Sequence, residues 1–284
     1  MKQCCDLHTH SNYSDGTLTP AELIAAAEVA GLSAIALTDH NTVAGLPAFL
    51  EAGAASPVEA VPGAEFSTDY LDLELHIVGL FIRPEHYRAV TELTQQMMLR
   101  KQQSNRQLID ELNKAGYAVS YERIKAAMPE GEPNRAHIAA ELTRLGYTQS
   151  NKEAFQTLLG TKCGYYQPPK RIDVFELIGF LRSIGAVPVL AHPFLQLKTR
   201  EALAGFLAPA VEAGLMGMET RYSLFTQEQT LLAEELVRCY GLLPSGGSDF
   251  HGENKPDISL GTGKGDLRVP VSFLEGLKKA NLQD

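Results

Sequence analysis

The chain has 284 residues, of which 44% are hydrophobic and 21% charged, and its formal net charge at pH 7 is −9. This composition provides a large core and excludes disordered and collagen-like classes, and the acidic balance argues against a broad nucleic-acid-binding surface. The first residues lack the apolar segment of a secretory signal, and no stretch approaches the roughly 18 apolar residues of a membrane span. We therefore expect a cytoplasmic protein without a membrane or stable nucleic-acid partner, and reduced thiols at Cys4, Cys5, Cys163 and Cys239.

Residues 1–83 alternate between predicted strands and helices. Thr19, Pro20 and Glu22 combine an N-cap, a proline at the first helical position and a capping-box glutamate, so a helix begins at Pro20. Gly31 is the expected stop of this helix. Strands are predicted at 4–8, 33–38, 58–66 and 73–82, and a second helix at 42–55. This alternation is typical of a parallel α/β barrel.

Residues 84–164 show no strand pattern. Their apolar spacing predicts helices at 85–115, 121–128, 134–145 and 152–159. Strands resume at 186–192, 217–222 and 242–248, with helices at 174–184, 199–212 and 227–240 between them. We therefore predict one barrel, built from 1–83 and 165–284, with residues 84–164 inserted as a helical cap, and the chain length suits such a barrel.

Six of the eight histidines lie in short polar motifs. Side chains alternate along a strand, so His8 and His10 point the same way if the segment is extended. Asp249 and His251 repeat that spacing near the other end of the sequence. Except for His76, the candidate ligands lie at or just past the ends of predicted strands, which is the active-site face of α/β barrels. Mixed imidazole and carboxylate ligands favour hydrolytic metals of intermediate hardness over redox copper.

Six segments carry a family resemblance: DLHTHSNYSDG at 6–16, TDHNT at 38–42, PGAE at 62–65, LH at 75–76, AHP at 191–193 and SDFHG at 248–252. Together they resemble the PHP family, named for polymerase and histidinol phosphatase. The resemblance implies a distorted (β/α)7 barrel of TIM-like, PHP type. It also implies up to three divalent metal ions, often Mn²⁺, and phosphoesterase activity.

The resemblance further implies nine metal ligands, which form three sets. The first metal takes His8, His10, Glu65 and Asp249; the second shares Glu65 and adds His76 and His192; the third takes Asp15, His40 and His251. The predicted catalytic groups are a metal-bound hydroxide, Asp15 and His137. Asp6 and Asp39 are expected either to orient ligating imidazoles or to act as caps or salt-bridge partners.

Two basic patches are candidates for substrate binding. Asn134, Arg135 and His137 stand at the start of a cap helix, where backbone donors favour phosphate, and His137 is also the histidine left as a general acid. Lys170 follows two prolines where the cap rejoins the barrel. A substrate with two phosphates would need one phosphate over the metals and the other on cationic groups.

Within the family, the helical insertion and these patches resemble the branch that contains 3′,5′-nucleoside-bisphosphate phosphatases. That resemblance implies removal of the 3′-phosphate from molecules such as 3′-phosphoadenosine 5′-phosphate. Three alternatives remain open: a 5′-to-3′ exonuclease on short oligonucleotides, a histidinol-phosphate phosphatase, and a non-catalytic binding or scaffold module like the PHP part of bacterial DNA polymerases.

Overall fold

The computed structural model describes residues 4–127, 133–169 and 171–282. The chain divides into two compact units, of which the first contains Met1–Thr91 and Ile172–Asp284 and the second Glu92–Arg171. We call them the barrel unit and the helical unit. The predicted cap at 84–164 overlaps most of the helical unit, and its limits as a separate domain stay a prediction.

Nine strands form one mixed sheet in the described ranges. They are β1 Cys4–Asp6, β2 Ala34–Leu37, β3 Glu59–Tyr70, β4 Leu73–Leu80, β5 Ile172–Asp173, β6 Val187–Leu190, β7 Gly217–Tyr222, β8 Leu243–Gly247 and β9 Val269–Pro270. The strand order is β8-β7-β6-β4-β3-β2-β1-β9, and β5 pairs with β3. Seven longer strands therefore make the barrel, while β5 and β9 are two-residue additions.

The sheet curves so that the residues directly after β1 and β8 are hydrogen-bonded to each other. The amide of Leu7 donates to the carbonyl of Gly246 at 3.1 Å, and the amide of Asp249 donates to the carbonyl of His8 at 2.9 Å. Thr9 and Phe250 form a parallel bridge. These bonds nearly close the sheet, so the expected distorted α/β barrel is confirmed.

Among the seven longer strands, β4 runs against the others, so the prediction of a parallel barrel is wrong at this point. β4 pairs antiparallel with both β3 and β6, whereas β1-β2-β3 and β6-β7-β8 are parallel. A hairpin turn joins β3 to β4 through Leu71 and Asp72, whose φ angles are 50° and 65°. This connection is too short for the crossover that a parallel pair requires.

Ten α-helices complete the described chain. They are α1 Pro20–Val29, α2 Leu46–Ala54, α3 Tyr87–Lys114, α4 Tyr121–Ala126, α5 Arg135–Arg144, α6 Asn151–Ala154, α7 Val174–Ser183, α8 Arg200–Glu212, α9 Gln227–Cys239 and α10 Val271–Asn281. The predicted capping box of Thr19 and Glu22 starts α1. α2 begins four residues later than predicted because Pro47 is accommodated only in a first helical turn. None of the described helices is long and apolar enough to cross a membrane.

Each unit has its own hydrophobic core. Small and branched residues fill the barrel interior, among them Ala36, Val61 and Val189. Leu108, Ile138 and Leu142 belong to the core of the helical unit. Each buried branched side chain stabilises the fold by roughly 1.5–3 kcal/mol, so the barrel core holds the strand ends in place.

Candidate metal centre

All nine predicted ligands lie together in the barrel unit. His8 and His10 follow β1, His40 follows β2, His192 follows β6, and Asp249 and His251 follow β8, whereas Glu65 and His76 lie inside β3 and β4. Asp15 lies on the loop between β1 and α1. The nine residues form four overlapping groups, and within each group the ligand atoms lie within 4.8 Å of one another. Residues distant in sequence therefore share one polar cluster.

Glu65 is the centre of this cluster and is fully buried. Its Oε1 lies 2.8 Å from Nδ1 of His76 and 2.9 Å from Nε2 of His192. Its Oε2 faces the opposite group, within 3.3 Å of nitrogens of His8, His10 and His40. One carboxylate thus contacts five imidazoles, which is the arrangement expected of a bridging ligand.

Asp15 lies at the open side of the cluster. Its Oδ1 is 3.2 Å from Nε2 of His251, and its Oδ2 is 3.7 Å from Nε2 of His40. The Asp15 side chain is 54% exposed and that of His40 is 26% exposed, whereas His8 and Glu65 are fully buried. The cluster is therefore reached from the Asp15 side.

The two oxygens of Asp249 have different surroundings. Oδ1 is 3.3 Å from Nε2 of His10 and 3.4 Å from Nδ1 of His251. Oδ2 accepts hydrogen bonds from the hydroxyl of Tyr222 at 2.8 Å and from Nζ of Lys255 at 2.6 Å. Protein donors thus hold one oxygen, and the other faces the imidazoles.

Several buried ligand atoms have no hydrogen-bond partner among the described residues, and these atoms test whether the residues fit a metal. They are Nε2 of His8, both ring nitrogens of His10, Nδ1 of His40 and Oε2 of Glu65. Leaving such a polar atom buried and unpaired costs about 1–3 kcal/mol, and native proteins do so rarely. Divalent cations would satisfy the lone pairs among these atoms, one on each imidazole and that on Glu65, and the mixture of imidazole and carboxylate suits manganese, iron or zinc. The residues fit the metal ions that the resemblance implies.

The pKa values of the cluster reflect strong mutual attraction between acids and imidazoles. Burial opposes charge on Glu65, yet the charges of His8 and His76 hold its pKa well below the usual range. Burial likewise opposes charge on His76, but Glu65 raises the pKa of His76 to about 10. Burial dominates at His40 and lowers its pKa to about 3. The carboxylates therefore stay ionised and available to cations.

Two of the ligands have unusual backbone conformations. His192 has φ of 25° and Asp249 has φ of 58°, a region that non-glycine residues rarely adopt. Such strain is typical of functional sites and persists only where neighbouring contacts impose it. The amide of His192 donates to Oε2 of Glu219 at 2.5 Å, which is one such contact.

Asp6 and Asp39 hold loops, not imidazole rings. Asp39 accepts from the amide and hydroxyl of Ser11 and from the hydroxyl of Ser14, on the loop that carries Asp15. Asp6 accepts from the amide and hydroxyl of Ser248 at the end of β8. Their expected role in orienting imidazoles is not the one that these contacts show.

Glu219 makes the imidazole contact that the sequence analysis expected of those aspartates. Its Oε1 lies 2.8 Å from Nδ1 of His8. Glu219, Tyr222 and Lys255 were not among the site residues predicted from the sequence. A charged residue in the middle of the predicted strand at 217–222 was the signal that could have identified Glu219.

The predicted substrate residues of the helical unit lie at the start of α5. Oδ1 of Asn134 accepts from the amides of Ala136 and His137, so two of the backbone donors expected to bind phosphate are already used. Nδ1 of His137 accepts from the amide of Asn134, and burial lowers the pKa of His137. The Arg135 guanidinium lies 4.2 Å from the ring centroid of Tyr166. Any phosphate binding here would depend on the side chains.

Two further sequence interpretations concern the end of the helical unit. Tyr166, on which the Arg135 guanidinium stacks, is buried in the core of the helical unit. Lys170 lies outside the described residues, so its predicted role stays a prediction.

Comparison with known proteins identifies the family. The model of the PHP domain matches residues 6–167 of the 284. The chain belongs to the PHP family. This chain is a metal-dependent hydrolase of phosphate esters, so the expectation of a metal-dependent phosphoesterase is confirmed.

Curated relatives of this PHP protein carry three different activities in their names. A 5′-3′ exoribonuclease of Haemophilus influenzae is 31% identical over 88% of this chain and 91% of its own. A phosphoribosyl 1,2-cyclic phosphate 1,2-diphosphodiesterase of Eggerthella lenta is 32% identical over 87% and 94%. A 3′,5′-nucleoside bisphosphate phosphatase of Chromobacterium violaceum is 29% identical over 89% and 90%. All three names describe hydrolysis of phosphate esters, with different substrates.

A solved structure agrees with the barrel described above. A protein of Bifidobacterium adolescentis, described as a metal-dependent phosphoesterase, has a TM-score of 0.77 and 26% identity to this PHP chain. The match covers 97% of this chain and 95% of the other. The PHP-type fold therefore extends over almost the whole sequence.

Proposed function

We propose that this phosphoesterase hydrolyses the 3′-phosphate of 3′,5′-nucleoside bisphosphates, giving a 5′-nucleotide and inorganic phosphate. The observation that carries the proposal is the convergence of nine ligand residues around Glu65, with buried ring nitrogens that have no hydrogen-bond partner in the part of the chain that the structure describes. The bisphosphatase of Chromobacterium violaceum, which matches along most of both chains, supports this choice of substrate.

We assign up to three divalent ions, most simply Mn²⁺, to the nine residues. His8, His10, Glu65 and Asp249 would hold the first, and Glu65, His76 and His192 the second. Asp15, His40 and His251 would hold the third. The opposite directions of the two Glu65 oxygens support the division between the first two sets. Bound ions of this kind acidify water and neutralise phosphate oxygens under in-line attack.

The chain's own residues would orient the reacting phosphate. Side-chain exposure falls from 54% at Asp15 to 26% at His40 and to zero at His8 and Glu65. A phosphate entering from the Asp15 side would therefore meet the ligands of the third set first. The buried side of the cluster would keep bulk water away from the reacting ester, which strengthens electrostatic stabilisation there.

The second phosphate of the substrate requires cationic groups. We propose that Arg135, His137, Asn134 and Lys170 bind it. Stacking on Tyr166 orients the Arg135 guanidinium, and this preorganisation favours a planar, bidentate contact with phosphate. The lowered pKa of His137 keeps its ring neutral near pH 7. Because Nδ1 of His137 accepts from Asn134, Nε2 bears the proton and can donate it as a hydrogen bond to a phosphate oxygen.

A second candidate is a 5′-to-3′ exonuclease on short oligonucleotides, favoured by the match to the exoribonuclease of Haemophilus influenzae. An exonuclease that releases 5′-nucleotides one at a time would break the bond between phosphorus and the 3′ oxygen of the terminal nucleotide. Removal of a 3′-phosphate breaks the same bond. The two candidates therefore differ in the group attached to the phosphorus and share the position of attack.

The test is a substrate panel in ¹⁸O-labelled water with Mn²⁺-loaded protein. The substrates are adenosine 3′,5′-bisphosphate, 3′-AMP, 5′-AMP, a short 5′-phosphorylated RNA, histidinol phosphate and a ribose 1,2-cyclic phosphate. We expect the bisphosphate to be preferred, and ¹⁸O to appear only in the released phosphate. Equal rates on 3′-AMP would remove the requirement for a second phosphate. Faster release of 5′-nucleotides from the RNA, with ¹⁸O on the shortened strand, would establish the exonuclease instead.

A further inference from the structure

Glu219 is a buried carboxylate that touches two different parts of the metal cluster. It lies on β7 and is 2% exposed. Its Oε1 is 2.8 Å from Nδ1 of His8, and its Oε2 accepts from the backbone amide of His192 at 2.5 Å. The carboxylate accepts a hydrogen bond in each contact and uses a different oxygen for each.

The first contact controls which nitrogen of His8 is available to a cation. In a neutral ring whose Nδ1–H donates a hydrogen bond to Glu219, Nε2 carries the lone pair that can bind a metal. Nε2 of His8 is one of the buried atoms that have no hydrogen-bond partner among the described residues. It faces the cluster, with Oε2 of Glu65 3.1 Å away. Glu219 thus keeps the ligating nitrogen directed into the cluster.

The second contact supports a strained turn. His192 has φ of 25°, which an L-residue adopts only when its surroundings impose it. The hydrogen bond from its amide to Glu219 fixes this turn while its Nε2 reaches Oε1 of Glu65 at 2.9 Å. A ligand after β1 and a ligand after β6 are therefore held by one side chain on β7.

We propose that Glu219 is a positioning residue that sets the metal affinity of the two positions that share Glu65, acting on His8 of the first ligand set and on His192 of the second. These three residues offer ligand atoms within 4.8 Å of one another. Glu219 selects the ligating tautomer at His8 and the backbone turn at His192, and does so without contacting substrate. This inference rests on the ligand assignment made under the proposed function.

The decisive variant is Glu219→Gln, which keeps the size and shape of the side chain but replaces one acceptor by a donor. A glutamine can accept from His8 or from the amide of His192, and it must oppose a donor at the other. We expect about 10- to 100-fold weaker binding of one Mn²⁺ per chain, which is typical when the partner of a metal ligand is removed. Excess Mn²⁺ should restore kcat, because every ligand is still present.

Metal binding is read by titration calorimetry and by elemental analysis after dialysis against limiting Mn²⁺, with circular dichroism to verify folding. Glu235→Gln is the matched control, because Glu235 pairs with Arg200 on the surface and should bind metal as the wild type does. Glu219→Asp keeps both acceptors on a shorter stem and should bind with intermediate affinity, so it carries the test if the glutamine variant does not fold.

Wild-type metal affinity in a folded Glu219→Gln or Glu219→Asp protein would overturn the positioning role while leaving the ligand assignment intact. A wild-type protein that binds no divalent metal would overturn the ligand assignment, and the role of Glu219 with it.

Discussion

The hydroxyl of Tyr222 donates a hydrogen bond to Oδ2 of Asp249 at 2.8 Å, while Oδ1 of the same carboxylate lies 3.3 Å from Nε2 of His10. Burial and the charge of Asp249 raise the pKa of Tyr222, so the phenol stays protonated and remains a donor. The scaffold thus turns one oxygen of Asp249 toward the proposed metal ligands.

Tyr222→Phe removes this donor and leaves the ring in place. We expect the free energy of unfolding to fall by about 1 kcal/mol, the net value of a typical hydrogen bond, and Mn²⁺ affinity to fall about 10-fold. Tyr240→Phe is the control, since its hydroxyl donates to the carbonyl of Ala204 and touches no candidate ligand. Denaturant melts and metal titrations measure both effects. Equal metal affinity in the two variants would argue against a role for Tyr222 at the cluster.

Asp15→Ala tests the exposed side of the cluster. Because the side chain is 54% exposed, its loss should leave the thermal midpoint of the metal-free protein almost unchanged. Loss of a carboxylate that would hold the third divalent ion beside the phosphate should lower kcat on the order of 100-fold or more. Asp257→Ala, at another exposed aspartate, serves as the control. Turnover near wild type in Asp15→Ala would remove the third metal position from the mechanism.

Arg135→Ala tests the proposed anchor of the second phosphate. An interaction made equally in the ground state and the transition state raises KM and leaves kcat unchanged when it is lost. We expect KM for adenosine 3′,5′-bisphosphate to rise about 10-fold, as for loss of one charge-assisted contact. Arg144→Ala is the matched control on the same helix, where the arginine pairs with Glu141. An unchanged KM would exclude Arg135 from the substrate site.

Gly247→Ala tests the closure of the barrel. A Cβ at this position would lie 2.4 Å from Cβ of His8, so β1 and β8 would have to separate. We expect destabilisation of about 1–3 kcal/mol or more, together with weaker metal binding. Gly179→Ala, in α7 with no atom near the added carbon, should instead be stabilising by about 0.5–1 kcal/mol. A thermal melt of Gly247→Ala that matches the wild type would show that the strands can move apart at no cost.

Metal binding should release protons between pH 7 and 9. Although burial lowers the pKa of His76, the charge of Glu65 raises it to about 10, and Glu65 and Glu219 likewise raise the pKa of His8 against the effect of burial. Both rings are therefore protonated in the metal-free protein at pH 7 and must lose a proton to bind a cation. Burial lowers the pKa of His40 to about 3, so this ring is neutral at pH 7 and releases no proton when a cation binds.

We therefore expect apparent Mn²⁺ affinity to rise with pH, by about tenfold per unit for each proton released. The same raised pKa of His76 stabilises the metal-free fold fully below its unfolded value of about 6.5, and this stabilisation is lost as the pH rises through about 10. Calorimetry in buffers of different ionisation enthalpy measures the proton release. Binding heats that do not depend on the buffer would contradict this prediction.

The sequence by itself determined the class of the fold and the chemical type of the site. Strand and helix periodicity located the seven longer strands and the helices between them within a few residues, because local burial patterns depend on the residues in each segment, whereas β5, β9 and α10 were not predicted. The spacing of His8 with His10 and of Asp249 with His251 identified the ligand types, because these motifs are short and occupy strand ends. The type of metal chemistry follows from those ligand types.

Only the tertiary structure decided which residues support the ligands. Glu219 and Tyr222 lie on β7, and their contacts with His8 and Asp249 join residues 211 and 27 positions apart, which no local pattern encodes. The reversed direction of β4 depends on the two-residue turn after β3, and Gly247 matters only because His8 packs against it. A sequence motif indicates the chemical type of a side chain, whereas the tertiary structure determines which residues that side chain contacts.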